Sequence, residues 1–260
     1  LDDKVNEIRN LLSGLMEEAS NGSAAGNDAD APVFTGKAPR EKELITMVYR
    51  TYSGSNTVAL CKLIPEEVAE EFDVKLIIQS SDQEFYDTLA RSRMIVTTHG
   101  GFKCSSDQIC VDLWHGVPLK TVGAMVHGQT DEQIKGGLYW WTKVDAATSY
   151  SQLYSSLMNA CMNIGGNKYF ITGAPRNDLL LTSDGRKNLS DLMHIDLDGK
   201  KVLFFLPTFR TTHYGRYDGD KEWDNIFGMR SFDIVEFDKF LEDNNIVFIT
   251  KLHPNEEYKM

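Results

Sequence analysis

R-M-I-V-T-T-H-G-G (residues 93–101) and I-C-V-D-L-W-H-G-V-P-L-K (residues 109–120) each run from β-branched or apolar residues into a turn of small and polar ones. A short apolar run bounded by glycine reads as a buried strand that delivers its last side chains into a loop. Runs of the same kind flank these two: E-L-I-T-M-V-Y-R (43–50), V-K-L-I-I-Q-S (74–80), D-A-A-T-S-Y (145–150) and K-Y-F-I-T-G (168–173). Helical segments lie between them, at P-E-E-V-A-E-E-F (65–72), D-Q-E-F-Y-D-T-L-A (82–90), residues 131–141 and S-Q-L-Y-S-S-L-M-N-A-C (151–161). Strands alternating with helices predict βαβ units and a mostly parallel, doubly wound sheet, so the fold class is α/β.

Further along, K-K-V-L-F-F-L-P-T-F (200–209), F-D-I-V-E-F-D-K-F-L (232–241) and N-I-V-F-I-T-K-L-H-P (245–254) begin a second set of strand, helix and strand. Two strands are too few for a free-standing doubly wound domain, and position 1 is Leu1 rather than methionine, so the chain reads as a fragment of a longer protein. At the other end, Val5, Ile8, Leu11, Leu12, Leu15 and Met16 have helical spacing, and S-N-G-S-A-A-G-N-D-A-D-A-P (20–32) is small, polar and glycine-rich. The expected division is a helix over 1–19, a flexible linker over 20–40, a Rossmann-like domain over 41–170 and a partial second Rossmann-like domain over 171–260.

The 27 Lys and Arg against 38 Asp and Glu give a net charge of −11 over 260 residues. Residues 1–31 and 214–260 each carry a net −5, and the stretch between them is nearly neutral. Nucleic acid is therefore not an expected partner, because its capture needs a basic face. Neither a signal peptide nor a run of 18 apolar residues is visible in the sequence. The four cysteines form no C-x-x-C pair and read as reduced thiols. There is no phosphate loop, dinucleotide fingerprint, nucleophile elbow or metal-ligand spacing, so neither a metal nor a cofactor is assigned.

Ligands of open α/β sheets bind beyond the carboxyl ends of the strands, which directs attention to the polar residues there. His115 enters a turn shaped by Gly116 and Pro118, with Lys120 following. A histidine so placed either takes a hydroxyl proton near neutral pH or caps the strand as a packed side chain, and Lys120 can balance phosphate charge. His99, between Thr98 and two glycines, is a candidate to line the same cleft. In T-G-A-P-R-N-D (172–178), Asn177 or Asp178 is expected to cap a helix starting at Leu179. Arg176 is then either a phosphate ligand beside a helix N-terminus or a surface residue next to a cap. Arg210 and His253, at the ends of two later strands, carry the same choice.

Taken in order, L-W-H-G-V-P-L-K (113–120), T-G-A-P-R-N-D-L-L (172–180), L-P-T-F-R (206–210) and K-L-H-P (251–254) resemble the CDP-glycerol glycerophosphotransferase family, the teichoic-acid primases and polymerases. The resemblance spans about residues 43–260. It implies a GT-B type fold, in which two Rossmann-like domains face a cleft, with the second domain truncated here. It also implies transfer of glycerol phosphate from a CDP-glycerol or CDP-ribitol donor to a lipid-linked or polymer polyol-phosphate acceptor, with release of CMP. On this resemblance His115 is the base and the first domain holds the acceptor. His253 and Arg210 steady the donor pyrophosphate, and Arg176 and Asn177 contact donor phosphate or hold the hinge. A cytoplasmic place of work, peripheral at the inner membrane face, is implied in the same way. Phe209 stands where the family usually has tryptophan, and the chain stops before an Asp-Tyr-Ser-Ser type motif that helps bind the donor. Other readings of the same motifs are another GT-B sugar-nucleotide glycosyltransferase, an epimerase-like relative, or a non-catalytic docking module.

Overall fold

The structure, a computed structural model, describes residues 42–50, 55–119, 121–207, 225–229 and 231–253. The helix expected over 1–19, the linker over 20–40, Lys120, Phe209 and Arg210 lie outside the described residues. The chain forms two compact units, Leu1–Thr182 and Ser183–Met260.

Unit one is built on six parallel strands, β1 (Leu44–Tyr49), β2 (Asp73–Ile78), β3 (Met94–Thr97), β4 (Ile109–Asp112), β5 (Ala146–Ser149) and β6 (Tyr169–Ile171). They lie in the order β2-β1-β3-β4-β5-β6. The helices are α1 (Ser55–Lys62), α2 (Glu66–Glu71), α3 (Gln83–Arg91), α4 (Asp131–Leu138), α5 (Gln152–Met162) and α6 (Pro175–Thr182). β3, β4 and β5 are buried along their whole length and β1 over its four central residues, as expected of parallel strands covered on both faces. Alternation then assigns the side chains. Ile45, Met47, Met94, Val96, Ile109 and Val111 form one apolar layer, against which Leu60, Cys61, Ile64 and Phe72 pack. Val48 and Ile95 point the other way, onto Phe85 and Leu89 of α3.

Local chemistry sets where the helices begin. The Asp82 carboxylate accepts from Phe85 N at 2.8 Å at the start of α3, and Ser151 Oγ accepts from Tyr154 N at 3.1 Å at the start of α5. At α4, Thr130 and Gln133 form a reciprocal capping box. α6 begins at Pro175, four residues before the expected Leu179, so Asn177 and Asp178 lie in its first turn instead of capping it. Proline suits a first helical position because its missing N–H has no partner to lose there and its φ is already helical. β6 pairs with β5 and α6 packs on α1, so the P-R-N-D turn belongs to unit one and the chain divides after Thr182, later than residue 170.

Unit two contains α7 (Gly185–Met193), β7 (Lys201–Phe205), α8 (Ile234–Asp243) and β8 (Ile246–Thr250). β7 and β8 are parallel and in register from Lys201 with Ile246 to Phe205 with Thr250. Its apolar centre is aromatic: the Phe227 ring lies 4.8 Å from Phe205 and from Phe232 and 5.3 Å from Phe237.

Candidate functional site

Two turns meet at the carboxyl edge of β3 and β4, and both hang on the Asp112 carboxylate. Oδ2 accepts from Gly100 N at 2.9 Å and Oδ1 from Trp114 N at 2.8 Å. The T-T-H-G-G turn and the W-H-G turn are thereby tied to one buried side chain. Burial raises the Asp112 carboxyl to about 7, with the two N–H donors pulling the other way.

Trp114 has φ of 50°, a left-handed conformation that costs a side-chain-bearing residue about 1–2 kcal/mol. Its buried ring and the Asp112 bond offset that cost. The reversal turns His115 back over the edge of β3. The His115 ring stacks on His99, with centroids 4.4 Å apart and planes 11° from parallel, and lies 3.9 Å from the Trp114 ring.

His115 Nδ1 is 3.0 Å from Thr98 O. A carbonyl only accepts, so Nδ1 carries the proton and donates it, and the lone pair of the neutral ring is on Nε2. Burial, followed by the charges of Arg176 and Arg50, holds the His115 imidazolium below its ordinary range, although the Thr98 bond works against this. His99 is held down to about 3 by burial, then by His115 and Arg50, and its Nδ1 pairs with Thr98 Oγ1 at 2.7 Å. Both rings are therefore neutral near pH 7.

Arg176 Nη1 donates to His115 O at 2.7 Å. Gly116 has φ of 150°, which favours glycine, and a Cβ there would crowd Arg176 Nη2 at 3.2 Å. Asn56, fully buried in α1, supports the group from below. Its Nδ2 donates to Trp114 O at 2.8 Å and Leu113 O at 3.3 Å, and its Oδ1 accepts from Arg176 N at 3.3 Å.

Of the residues expected from the sequence, the structure brings His99, His115 and Arg176 together. Asn177 is exposed on the next position of α6. His253 lies in unit two, half-buried three residues past β8. Sequence reasoning did not single out Asp112 or Asn56. The signal for Asp112 was an acid set in the apolar run I-C-V-D-L-W, whereas Asn56 had none, because its partners are 57 to 120 positions away. Among the described residues no group of three or more His, Cys, Asp or Glu is placed to hold a metal ion. Nor is any described helix long and apolar enough to cross a membrane.

Teichoic acid ribitol-phosphate polymerase TarL of Staphylococcus aureus (strain NCTC 8325 / PS 47) is 27% identical over 199 residues, which are 72% of this chain and 31% of TarL. The solved structure of the wall teichoic acid polymerase TagF superposes with a TM-score of 0.57 at 16% identity, over 84% of this chain and 58% of TagF. A TagF variant soaked with CDPG gives 0.60 at 15% identity, over 96% of this chain and 63% of the other. The chain thus spans about a third of TarL and about three-fifths of TagF, and it shares the α/β fold of the latter. Residues 51–260 match the family described as CDP-Glycerol:Poly(glycerophosphate) glycerophosphotransferase. That range holds both turns, the P-R-N-D helix and the K-L-H-P strand end, and the chain belongs to that glycerophosphotransferase family.

Proposed function

We propose that the protein transfers a polyol phosphate, glycerol phosphate or ribitol phosphate, from its CDP-activated form to a hydroxyl of a teichoic-acid-like acceptor, and that His115 is the general base. The observation that carries this reading is the Thr98 carbonyl on His115 Nδ1, which leaves Nε2 as the basic atom. In the step, Nε2 takes the acceptor O–H proton as the oxygen forms a bond to the phosphorus that bears the polyol. The P–O bond to the cytidine phosphate breaks, and CMP leaves with the electron pair. Phosphoryl transfer depends mainly on positioning and on neutralising charge, so a fixed neutral base beside cations is a sufficient kind of site.

Unit one supplies the base and is the acceptor side of this reading. Arg176, fixed by its bond to His115 O, positions the turn and adds positive charge. Unit two carries His253, and with it Arg210, as the donor-phosphate side, and Lys120 adds charge after the His115 turn. Lipid-linked acceptors would place the work at the inner membrane face, with the protein bound peripherally.

The test is CMP release from CDP-glycerol and CDP-ribitol by the full-length protein, with and without a polyol-phosphate acceptor. Acceptor-dependent CMP that falls by about 10²–10⁴ in His115→Ala is the expected result for loss of a general base. Consumption of a UDP-sugar with no CMP from either donor overturns the reading.

A further inference from the structure

Arg50 is the first residue past β1, at the point where the strand order reverses: β2 lies on one side of β1 and β3 on the other. The segment that leaves β1 packs Leu60, Cys61 and Ile64 on one face of the sheet. The connection that leaves β3 packs Phe102 with Phe85 and Leu89 on the opposite face. Connections that depart on opposite faces part the loops above the strand ends, and in open α/β sheets ligands sit in that crevice.

The register places chemistry there. Met47 pairs with Val96, and carrying this alignment forward sets Arg50 level with His99. Thr97 pairs with Asp112, which sets His99 level with Trp114, the neighbour of His115. From the far side, Arg50 Nε donates to Gln79 Oε1 at 2.5 Å, so the residue after β2 orients the guanidinium plane. Arg50 is half-buried, and its charge reaches both imidazoles, opposing their protonation. The edge therefore presents an oriented planar cation beside two neutral rings. A guanidinium takes phosphate through paired N–H donors, with a directionality that an ammonium lacks.

We propose that Arg50 binds a phosphate group of the substrate in the crevice between the ends of β1 and β3, next to the His115 base. The identity of that phosphate, on the acceptor or on the donor, rests on the transferase reading; the anion site rests on Arg50 itself.

Isothermal titration of wild type, Arg50→Gln and Arg50→Lys with inorganic phosphate, glycerol 3-phosphate and CDP-glycerol tests it. The expected result is that Arg50→Gln weakens at least one of these by about 10–100-fold, the worth of a hydrogen bond to a charged group, and that Arg50→Lys recovers part of the loss. Loss confined to glycerol 3-phosphate assigns the acceptor phosphate, and loss confined to CDP-glycerol assigns the donor. Unchanged binding of all three in Arg50→Gln overturns the proposal. So does the absence of any binding in wild type.

A second measurement needs no variant. Phosphate bound at Arg50 should raise the NMR titration midpoint of His115 in the wild-type protein, and an unmoved midpoint at saturating glycerol 3-phosphate and CDP-glycerol overturns the site. The two readings fail separately. Arg50-dependent phosphate binding without CMP release sinks the transferase and keeps the anion site, whereas CMP release with unaltered KM for both substrates in Arg50→Gln does the reverse.

Discussion

Replacing Asp112 by asparagine preserves shape and removes a proton-binding group that is 1% exposed. Burial raises this carboxyl from 3.8 to about 7, so between those values the folded protein retains a proton that the unfolded chain has lost. Stability contributed in this way is fully present below pH 4 and disappears as pH rises to about 7. At about 1.4 kcal/mol per pH unit the change is about 4 kcal/mol. His99 and His115 act in the opposite sense. Their folded values lie below the ordinary one, so their contribution is present above pH 6.5 and lost as pH falls. The opposing slopes flatten the wild-type profile, and only the difference between variant and wild type isolates Asp112.

Asparagine has no proton to lose. Its amide nitrogen must face either Gly100 N or Trp114 N, a fixed cost of about 1–3 kcal/mol for an unsatisfied donor. Relative to wild type, Asp112→Asn should therefore be destabilised at pH 4 and improve by about 4 kcal/mol by pH 7 to 8. Urea unfolding followed by tryptophan fluorescence at one-unit pH intervals gives the curve. A difference that stays constant to within about 1 kcal/mol from pH 4 to 8 would show that Asp112 is not a buried, proton-retaining acid and would refute the reasoning.

Asn56→Ala strips the side-chain partner from Trp114 O and Arg176 N, while Leu113 O keeps its bond from Thr148 Oγ1, and it should cost about 2 kcal/mol in urea unfolding at about 1 kcal/mol or more for each orphaned group. Asn56→Asp, which turns an acceptor toward two carbonyl oxygens, should be at least as damaging. Gly101→Ala would put a Cβ 2.6 Å from Lys143 Cβ and 2.8 Å from Lys143 C, forcing backbone to move, and should lower stability by about 1–3 kcal/mol. Gly136→Ala, in α4 with nothing within 4 Å, should instead raise it by about 0.5–1 kcal/mol, because alanine loses less backbone entropy in a helix. The same unfolding assay separates the two signs.

The strands were legible because burial leaves a plain mark on composition. β1, β3 and β4 are mostly apolar and buried on both faces, and no solvent-facing position interrupts their centres. α1 escaped notice because it buries Asn56 and Thr57 as well as Ala59, which erases the apolar stripe that marks a helix. α7 buries no residue, and its short stripe of Leu189, Leu192 and Met193 follows too few turns to stand out. The two imidazoles and Arg176 could be read because each sits in a short turn with glycine or proline beside it. Asp112, Asn56 and Arg50 are defined by what they touch across the sheet. Only the fold supplies those partners.

The docking of α6 on α1 also dictates an order of assembly. Asn56 emerges from the ribosome long before the Trp114 carbonyl it holds, and longer still before Arg176, 120 residues downstream. Until that arginine appears, the His115 turn lacks one of its two clamps, so a nascent chain can pair its first strands while the turn above them is still loose. Contacts this distant along the chain are slow to form because loop entropy is spent before they are gained. Synthesis therefore completes the His115 edge last, after the sheet that carries it.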